Sequence, residues 1–82
     1  MNNKLILRKE LSLIQALRMV DERIKNGQTP VIVDMSEVGF PLTRDVLLVM
    51  KKRFRVDQFS LLLSYDYEVE MAHSIGIGAE KS

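Results

Sequence analysis

Three polar side chains follow two aliphatic segments of the sequence at positions where they could bind a ligand. Asp34 lies near the end of segment 30–35, Ser36 comes directly after this segment, and Asp66 follows segment 59–65. In a parallel α/β sheet, ligands bind beyond the carboxyl ends of the strands. Two carboxylates there could share Mg²⁺, although an aspartate is equally suited to a turn or a helix cap. We favour the structural interpretation and keep Asp34, Ser36 and Asp66 as an alternative site for a small ligand or nucleotide.

Other catalytic arrangements are incomplete in this sequence. His73 is the only histidine and cysteine is absent, so neither an ordinary zinc site nor a Cys-His pair can be assembled. None of the serines lies in a Gly-x-Ser-x-Gly turn, and the glycine-rich phosphate-binding motifs are missing. We therefore predict no catalytic residues, no metal and no cofactor, and we interpret the chain as non-enzymatic.

The charge distribution argues against nucleic acid and membrane as main partners. The formal net charge is only +1, and the densest basic cluster, residues 51–55, ends a predicted helix. Cations there oppose the negative end of the helix dipole, whereas a nucleic-acid site would also need aromatic stacking partners. Binding of nucleic acid through residues 51–55 is a third, less favoured hypothesis.

No apolar run approaches the roughly 20 residues that span a bilayer. Without cysteines or a signal-peptide pattern, we expect a cytoplasmic protein without membrane insertion.

Apolar spacing predicts alternating strands and helices. Aliphatic segments predict strands at 4–8, 30–35 and 59–65, the second of them covered on both faces. Amphipathic spacing predicts helices at 12–27, at 44–55 and from residue 66 to about 75. A capping box of Ser12 and Gln15 should begin the first helix, and Thr43 and Asp66 should cap the other two.

This β-α-β-α-β-α order predicts a single small α/β domain over residues 1–82. Its sheet should be largely parallel and three-stranded, with helices packed on it. Residues 79–82 are expected to form a frayed end or the start of a linker, which leaves open whether the domain is one module of a longer protein. The two unpaired sheet edges are suited to pairing, so a homodimer is a further hypothesis.

Residues 30–54 resemble the central part of a STAS domain, the anti-sigma-factor antagonist fold. In that family, a strand ending in Asp-hydrophobic-Ser leads through a Val-x-Phe step into a helix, and residues 31–40 are Val-Ile-Val-Asp-Met-Ser-Glu-Val-Gly-Phe. Segments 5–11 and 59–76 resemble the family's flanking elements, so the resemblance covers nearly the whole chain. The pattern is also similar to the N-terminal domain of the division inhibitor MinC. The family's Asp-Ser-Ser-Gly-Leu motif is replaced by Leu-Thr-Arg-Asp-Val at residues 42–46.

The resemblance implies a non-enzymatic regulatory module of bacterial type that binds a protein partner. Its binding surface would be the loop and helix beginning at Phe40, and Thr43 lies where the family's phosphorylatable serine would be. We predict that an unidentified partner contacts the exposed side of helix 44–55 and five loop residues: Phe40, Pro41, Leu42, Thr43 and Arg44.

Overall fold

The chain folds into alternating strands and helices in a computed structural model that describes residues 3–82. The elements are β1 (Lys4–Ile6), α1 (Leu13–Lys25), β2 (Val31–Asp34), α2 (Arg44–Arg53), β3 (Phe59–Leu63), α3 (Asp66–Ser74) and β4 (Ala79–Lys81). All neighbouring strands are parallel, in the order β1-β2-β3-β4. The predicted α/β class and parallel sheet are confirmed, but the predicted number of three strands is wrong.

Local capping signals begin the first two helices as predicted. The Ser12 hydroxyl accepts a hydrogen bond from the Gln15 amide at 3.2 Å, and the Gln15 side chain accepts one from the Ser12 amide at 2.9 Å. The Thr43 hydroxyl accepts a hydrogen bond from the Val46 amide at 3.3 Å. Both oxygens satisfy donors that a helix start leaves unpaired.

The predicted cap of the third helix is wrong. Asp66 is its first residue and not its cap, which corrects the sequence-based assignment. The cap position is occupied by Tyr65, whose backbone N–H donates to the Glu68 carboxylate at 3.3 Å. Glu68 and not Asp66 therefore supplies the side-chain oxygen at this helix start.

Residues 79–81 form a strand, whereas the composition of residues 79–82 predicts a frayed tail. Ala79 and Lys81 pair with Leu61 and Leu63 of β3, and the Ser82 amide continues the ladder to the Leu63 carbonyl at 2.8 Å. Ile77, just before β4, is buried in the core. Because backbone pairing and a buried neighbour both hold this segment, it adds a fourth strand.

All three helices lie on one face of the sheet. Each strand neighbours the next one in the chain, and right-handed crossovers between such strands place every helix on the same side. Burial agrees with this arrangement, because Val31 and Val33 are buried whereas Ile32 between them is 37% exposed. The prediction that β2 is covered on both faces is therefore wrong. We call the uncovered side the open face; it carries Lys4, Ile6, Ile32, Asp34, Ser60, Leu62 and Glu80.

The hydrophobic core fills the space between the sheet and the helices. Its largest fully buried side chains are Leu7, Val20, Val31, Val33, Leu47, Met50, Leu61, Leu63 and Ile77. Burying each such side chain contributes about 1.5–3 kcal/mol. This single layer of packing holds the loops at the carboxyl ends of the strands in place.

Candidate functional site

Asp34 lies at the end of β2 with both carboxylate oxygens engaged by protein groups. It is only 7% exposed. Its Oδ1 accepts hydrogen bonds from the Ser36 amide at 3.0 Å and the Ser36 hydroxyl at 2.6 Å, and its Oδ2 lies 3.6 Å from the Lys4 ammonium. Burial raises the pKa of Asp34, but the Ser36 hydrogen bonds and the Lys4 charge together outweigh burial and hold this pKa below its usual value. The side chain is therefore a carboxylate that closes the turn after β2.

The alternative ligand-binding residues are brought together only in part. Asp34 and Ser36 are bonded to each other, whereas Asp66 is exposed in the first turn of α3 with a carboxylate oxygen 3.8 Å from the Lys81 ammonium. The Ser64 hydroxyl donates to the Ser36 carbonyl at 3.1 Å and joins the loop after β2 to the end of β3. Within residues 3–82, no group of three or more histidine, aspartate or glutamate side chains is arranged to hold a metal ion.

The basic cluster at 51–55 takes part in structural contacts. The Lys51 ammonium donates to the Ile75 carbonyl at 2.6 Å, at the C-terminal end of α3. The Arg53 guanidinium donates two hydrogen bonds to Oδ2 of Asp21 in α1, one from Nε at 3.0 Å and one from Nη2. The aromatic residue of the cluster, Phe54, is buried and stacks edge-on against Phe59. Phe54 therefore cannot stack on a base, and Lys51 and Arg53 serve contacts between α2 and the other two helices.

His73, the single histidine, forms a hydrogen bond to the edge strand β4. Its Nε2 lies 2.8 Å from the Ala79 carbonyl oxygen. This hydrogen bond links α3 to β4. The side chain thus helps to hold the strand that the sequence did not predict.

The loop predicted to face a partner has alternating orientations. Phe40 and Leu42 are half-buried and pack against the core, whereas Pro41, Thr43 and Arg44 are exposed. The two inward side chains anchor the loop. Three of the five predicted partner-binding residues are therefore presented to solvent.

Two aliphatic side chains extend this surface along α2. Leu47 and Met50 face the core, while Leu48 is 39% exposed and Val49 is 44% exposed. Sequence analysis predicted the exposed side of this helix as a surface without naming Leu48 or Val49. The signal for them is the unbroken apolar run at 46–50, which is wider than one core-facing stripe needs. We call Pro41, Thr43, Arg44, Leu48 and Val49 the α2 surface.

Sequence reasoning missed two further exposed features. The rings of Tyr65 and Tyr67 are exposed and stacked, with centroids 5.6 Å apart and planes 13° apart. The open face exposes Ile6 and Ile32 beside charged residues. A Tyr-x-Tyr spacing at a strand end is a sequence signal for the first feature, whereas the second depends on strand order and has no local signal.

Comparison with known proteins adds no assignment to this geometry. No known protein family, curated protein or solved structure matches the chain. In the part of the chain that the structure describes, helices are too short and too polar to cross a membrane. A functional assignment therefore rests on the exposed surfaces and their chemistry.

Proposed function

We propose that this domain is a non-enzymatic, cytoplasmic regulatory module that binds a protein partner through the α2 surface. The observation that carries this proposal is the pair of exposed aliphatic side chains, Leu48 and Val49, on a helix whose opposite side already supplies the core. Contiguous apolar patches that face water mark interaction surfaces, whereas single exposed apolar side chains do not. A partner that covers them gains roughly 25 cal/mol for each Å² of apolar area removed from water.

The groups around this pair suit protein recognition. Arg44 flanks an aliphatic centre, and protein interfaces typically combine an apolar centre with a polar rim in which arginine is enriched. The loop is held by Phe40 and Leu42 against the core, so little flexibility is lost on binding. The Tyr65–Tyr67 pair follows β3 and the loop follows β2, so both lie beyond the carboxyl ends of the strands, and the pair offers further aromatic contact area.

The state of the polar groups supports a non-enzymatic role. A carboxyl whose pKa is held low, as that of Asp34 is, makes a weak general base. Ser36 is hydrogen-bonded to Asp34 and to Ser64, which gives it a structural use. The resemblance to STAS domains points in the same direction, although no comparison with known proteins supports it.

Thr43 is the position at which partner binding would be switched under this proposal. Its hydroxyl caps α2 beside the exposed Arg44. A phosphoryl group there would add roughly −1.5 to −2 charge at the positive end of the helix dipole. Thr43→Glu, which imitates part of that charge, should keep the fold and weaken partner binding, whereas Thr43→Ser should preserve both.

Cross-linking in cells followed by quantitative mass spectrometry tests the α2 surface directly. Wild type is compared with Val49→Glu and with the control Ile14→Glu, whose site on α1 is 63% exposed. We expect a partner that wild type and the control retain equally and that Val49→Glu loses. With the purified partner, calorimetry should show at least about a tenfold weaker affinity for Val49→Glu, equal to about 1.4 kcal/mol.

Equal affinity of wild type, Val49→Glu and Arg44→Glu would exclude the α2 surface. The small-ligand alternative makes a different prediction. A metabolite or nucleotide that raises the melting temperature of wild type, but not of Asp34→Asn or Asp66→Asn, would favour that alternative.

A further inference from the structure

The exposed aromatic side chains of the domain are its two tyrosines, and they are stacked on each other. Their ring centroids are 5.6 Å apart and their planes differ by 13°. Tyr65 is 58% exposed and Tyr67 is 64% exposed, so the ring surfaces outside the stack face water. The face of an aromatic ring is its negative pole and attracts cations. The pair therefore offers a cation two ring faces in a fixed arrangement.

Two carboxylates lie on the outward side of α3 next to this pair. Asp66 and Glu70 are four residues apart, and Glu70 follows Tyr67 by three residues, so helical spacing makes Glu70 a neighbour of both. Like charges four residues apart destabilise a helix. The Lys81 ammonium lies 3.8 Å from Asp66, whereas Glu70 makes no ion pair among residues 3–82. A cation bound beside Tyr67 would relieve the repulsion between the two carboxylates.

The helix start accounts for only part of this acidic charge. Asp66 and Glu68 lie in the first turn of α3, where acids are favoured by the helix dipole. Glu68 is only 9% exposed and its carboxylate accepts the Tyr65 amide hydrogen bond. Glu70 lies in the second turn, beyond the range of that effect, and is exposed. Neither capping nor the dipole explains Glu70 beside the aromatic pair.

We propose that Tyr65, Asp66, Tyr67 and Glu70, which we call the α3 surface, bind an arginine side chain of a partner protein. A guanidinium is planar and weakly hydrated, so it stacks on a tyrosine face more readily than an ammonium does. Its N–H groups donate to the carboxylates of Asp66 and Glu70 in the same plane. The α3 surface shares no residue with the α2 surface and supplies a second contact with its own chemistry.

The charges and the exposure of the α3 surface disfavour two other classes of ligand. Nucleobases also stack on aromatic side chains, but the phosphates that accompany them would be repelled by Asp66 and Glu70. Small molecules bind in concave sites that bury most of their surface, whereas the Asp66 side chain is 81% exposed and both rings project into water. A protein segment can instead add contacts along α3 on either side of the arginine.

Tyrosine fluorescence of the full chain tests the proposal, because the sequence contains two tyrosines and no tryptophan. The probe is a capped Gly-Arg-Gly-Arg-Gly peptide, which is itself free of aromatic residues. We expect saturable binding with a dissociation constant of about 1 mM at low salt. A lysine peptide should bind about threefold more weakly and a citrulline peptide, which is planar but uncharged, at least about tenfold more weakly. Amide shifts in NMR should map to residues 64–70.

Glu70→Gln tests the carboxylate with little change of shape. It should weaken binding of the arginine peptide about three- to tenfold, whereas Glu22→Gln, which removes the same charge from an exposed site on α1, should not. Tyr67→Leu should weaken binding by a similar factor in an NMR titration. Val49→Glu on the α2 surface should bind the peptide like wild type, so a failure of the α2 surface and a failure of the α3 surface are distinguishable.

Four results would overturn the proposal. Equal affinity for the arginine and citrulline peptides would exclude a cation site. Equal affinity of Glu70→Gln and Glu22→Gln would exclude the α3 surface, even if circular dichroism shows that Tyr67→Leu fails to fold. Tighter binding of single-stranded oligothymidylate than of the arginine peptide would assign the rings to base stacking. Tyrosine emission that changes on dilution of wild type, but not of Arg55→Gln, would assign the surface to a second copy of the chain.

Discussion

Replacing Asp34 with asparagine should destabilise the domain at neutral pH and much less in acid. Asparagine keeps the size and one acceptor oxygen but removes the charge, so the two hydrogen bonds from Ser36 lose their charge assistance. Hydrogen bonds to charged groups contribute about 1.5–3 kcal/mol and neutral ones about 0.5–1.5 kcal/mol. The Lys4 pair adds at most about 0.5 kcal/mol, because the Lys4 side chain is 39% exposed and screened by water. Since a neutral amide is less costly to bury, we expect a net loss of about 1–2 kcal/mol.

The sign of the pH dependence follows from the lowered pKa of Asp34 in the folded state. The unfolded carboxyl has a pKa of about 3.9, so between the two pKa values the unfolded chain binds more protons than the folded one. The stabilisation by the Asp34 charge is complete above the unfolded pKa and is lost as the pH falls through the folded pKa. The stability difference between wild type and Asp34→Asn should shrink accordingly.

Urea unfolding followed by circular dichroism at constant ionic strength, between about pH 7 and pH 3, measures this difference. Asp57→Asn is the matched control, because the Asp57 side chain is 65% exposed in a surface pair with Arg55. That variant should stay within about 0.5 kcal/mol of wild type. A stability difference for Asp34→Asn that is equal at both ends of the pH range would refute the assignment of the lowered pKa to this carboxylate.

Three other substitutions test the fold and the loop. Val33→Asp places an unpaired charge at a fully buried position of β2, which costs several kcal/mol in a small domain. This variant should therefore show no cooperative unfolding transition. An NMR spectrum of a folded variant would contradict the packing. Thr43→Ala should lower the free energy of unfolding by about 0.5–2 kcal/mol in urea, and Thr43→Ser should not; equal stabilities would disprove the cap. The new methyl group of Gly39→Ala would overlap the Lys9 carbonyl oxygen and should lower the free energy of unfolding by about 1–3 kcal/mol. Gly78→Ala, whose methyl group would make only ordinary contacts, should change the melting temperature little. Similar effects of the two variants would disprove the close approach of Gly39 to Lys9.

The helices could be predicted from the sequence because their signals are local. The Ser12–Gln15 capping box and the stripe that includes Leu17 and Val20 specify α1 without reference to the rest of the chain. The predicted bounds of α1 and α2 differ from the observed ones by at most two residues at each end. The predicted cap at Thr43 is confirmed for the same reason, since its hydroxyl bonds to an amide only three residues away.

Features that depend on strand order could not be predicted in the same way. Strand β4 is three residues long, two of them charged, and only its pairing with β3 and the burial of Ile77 make it a strand. The aliphatic run at 30–35 is typical of a strand covered on both faces. Ile32 is nevertheless exposed, because the order β1-β2-β3-β4 leaves one face without helices, and no local pattern specifies that order.

The placement of all helices on one side of the sheet separates the α2 surface from the open face. The α2 surface lies on the outer side of the helix layer, and the open face lies on the opposite side of the sheet, so a partner on α2 does not occlude Ile32 or Glu80. A partner that covers Leu48 and Val49 therefore leaves the exposed side chains of Ile6 and Ile32 in contact with water.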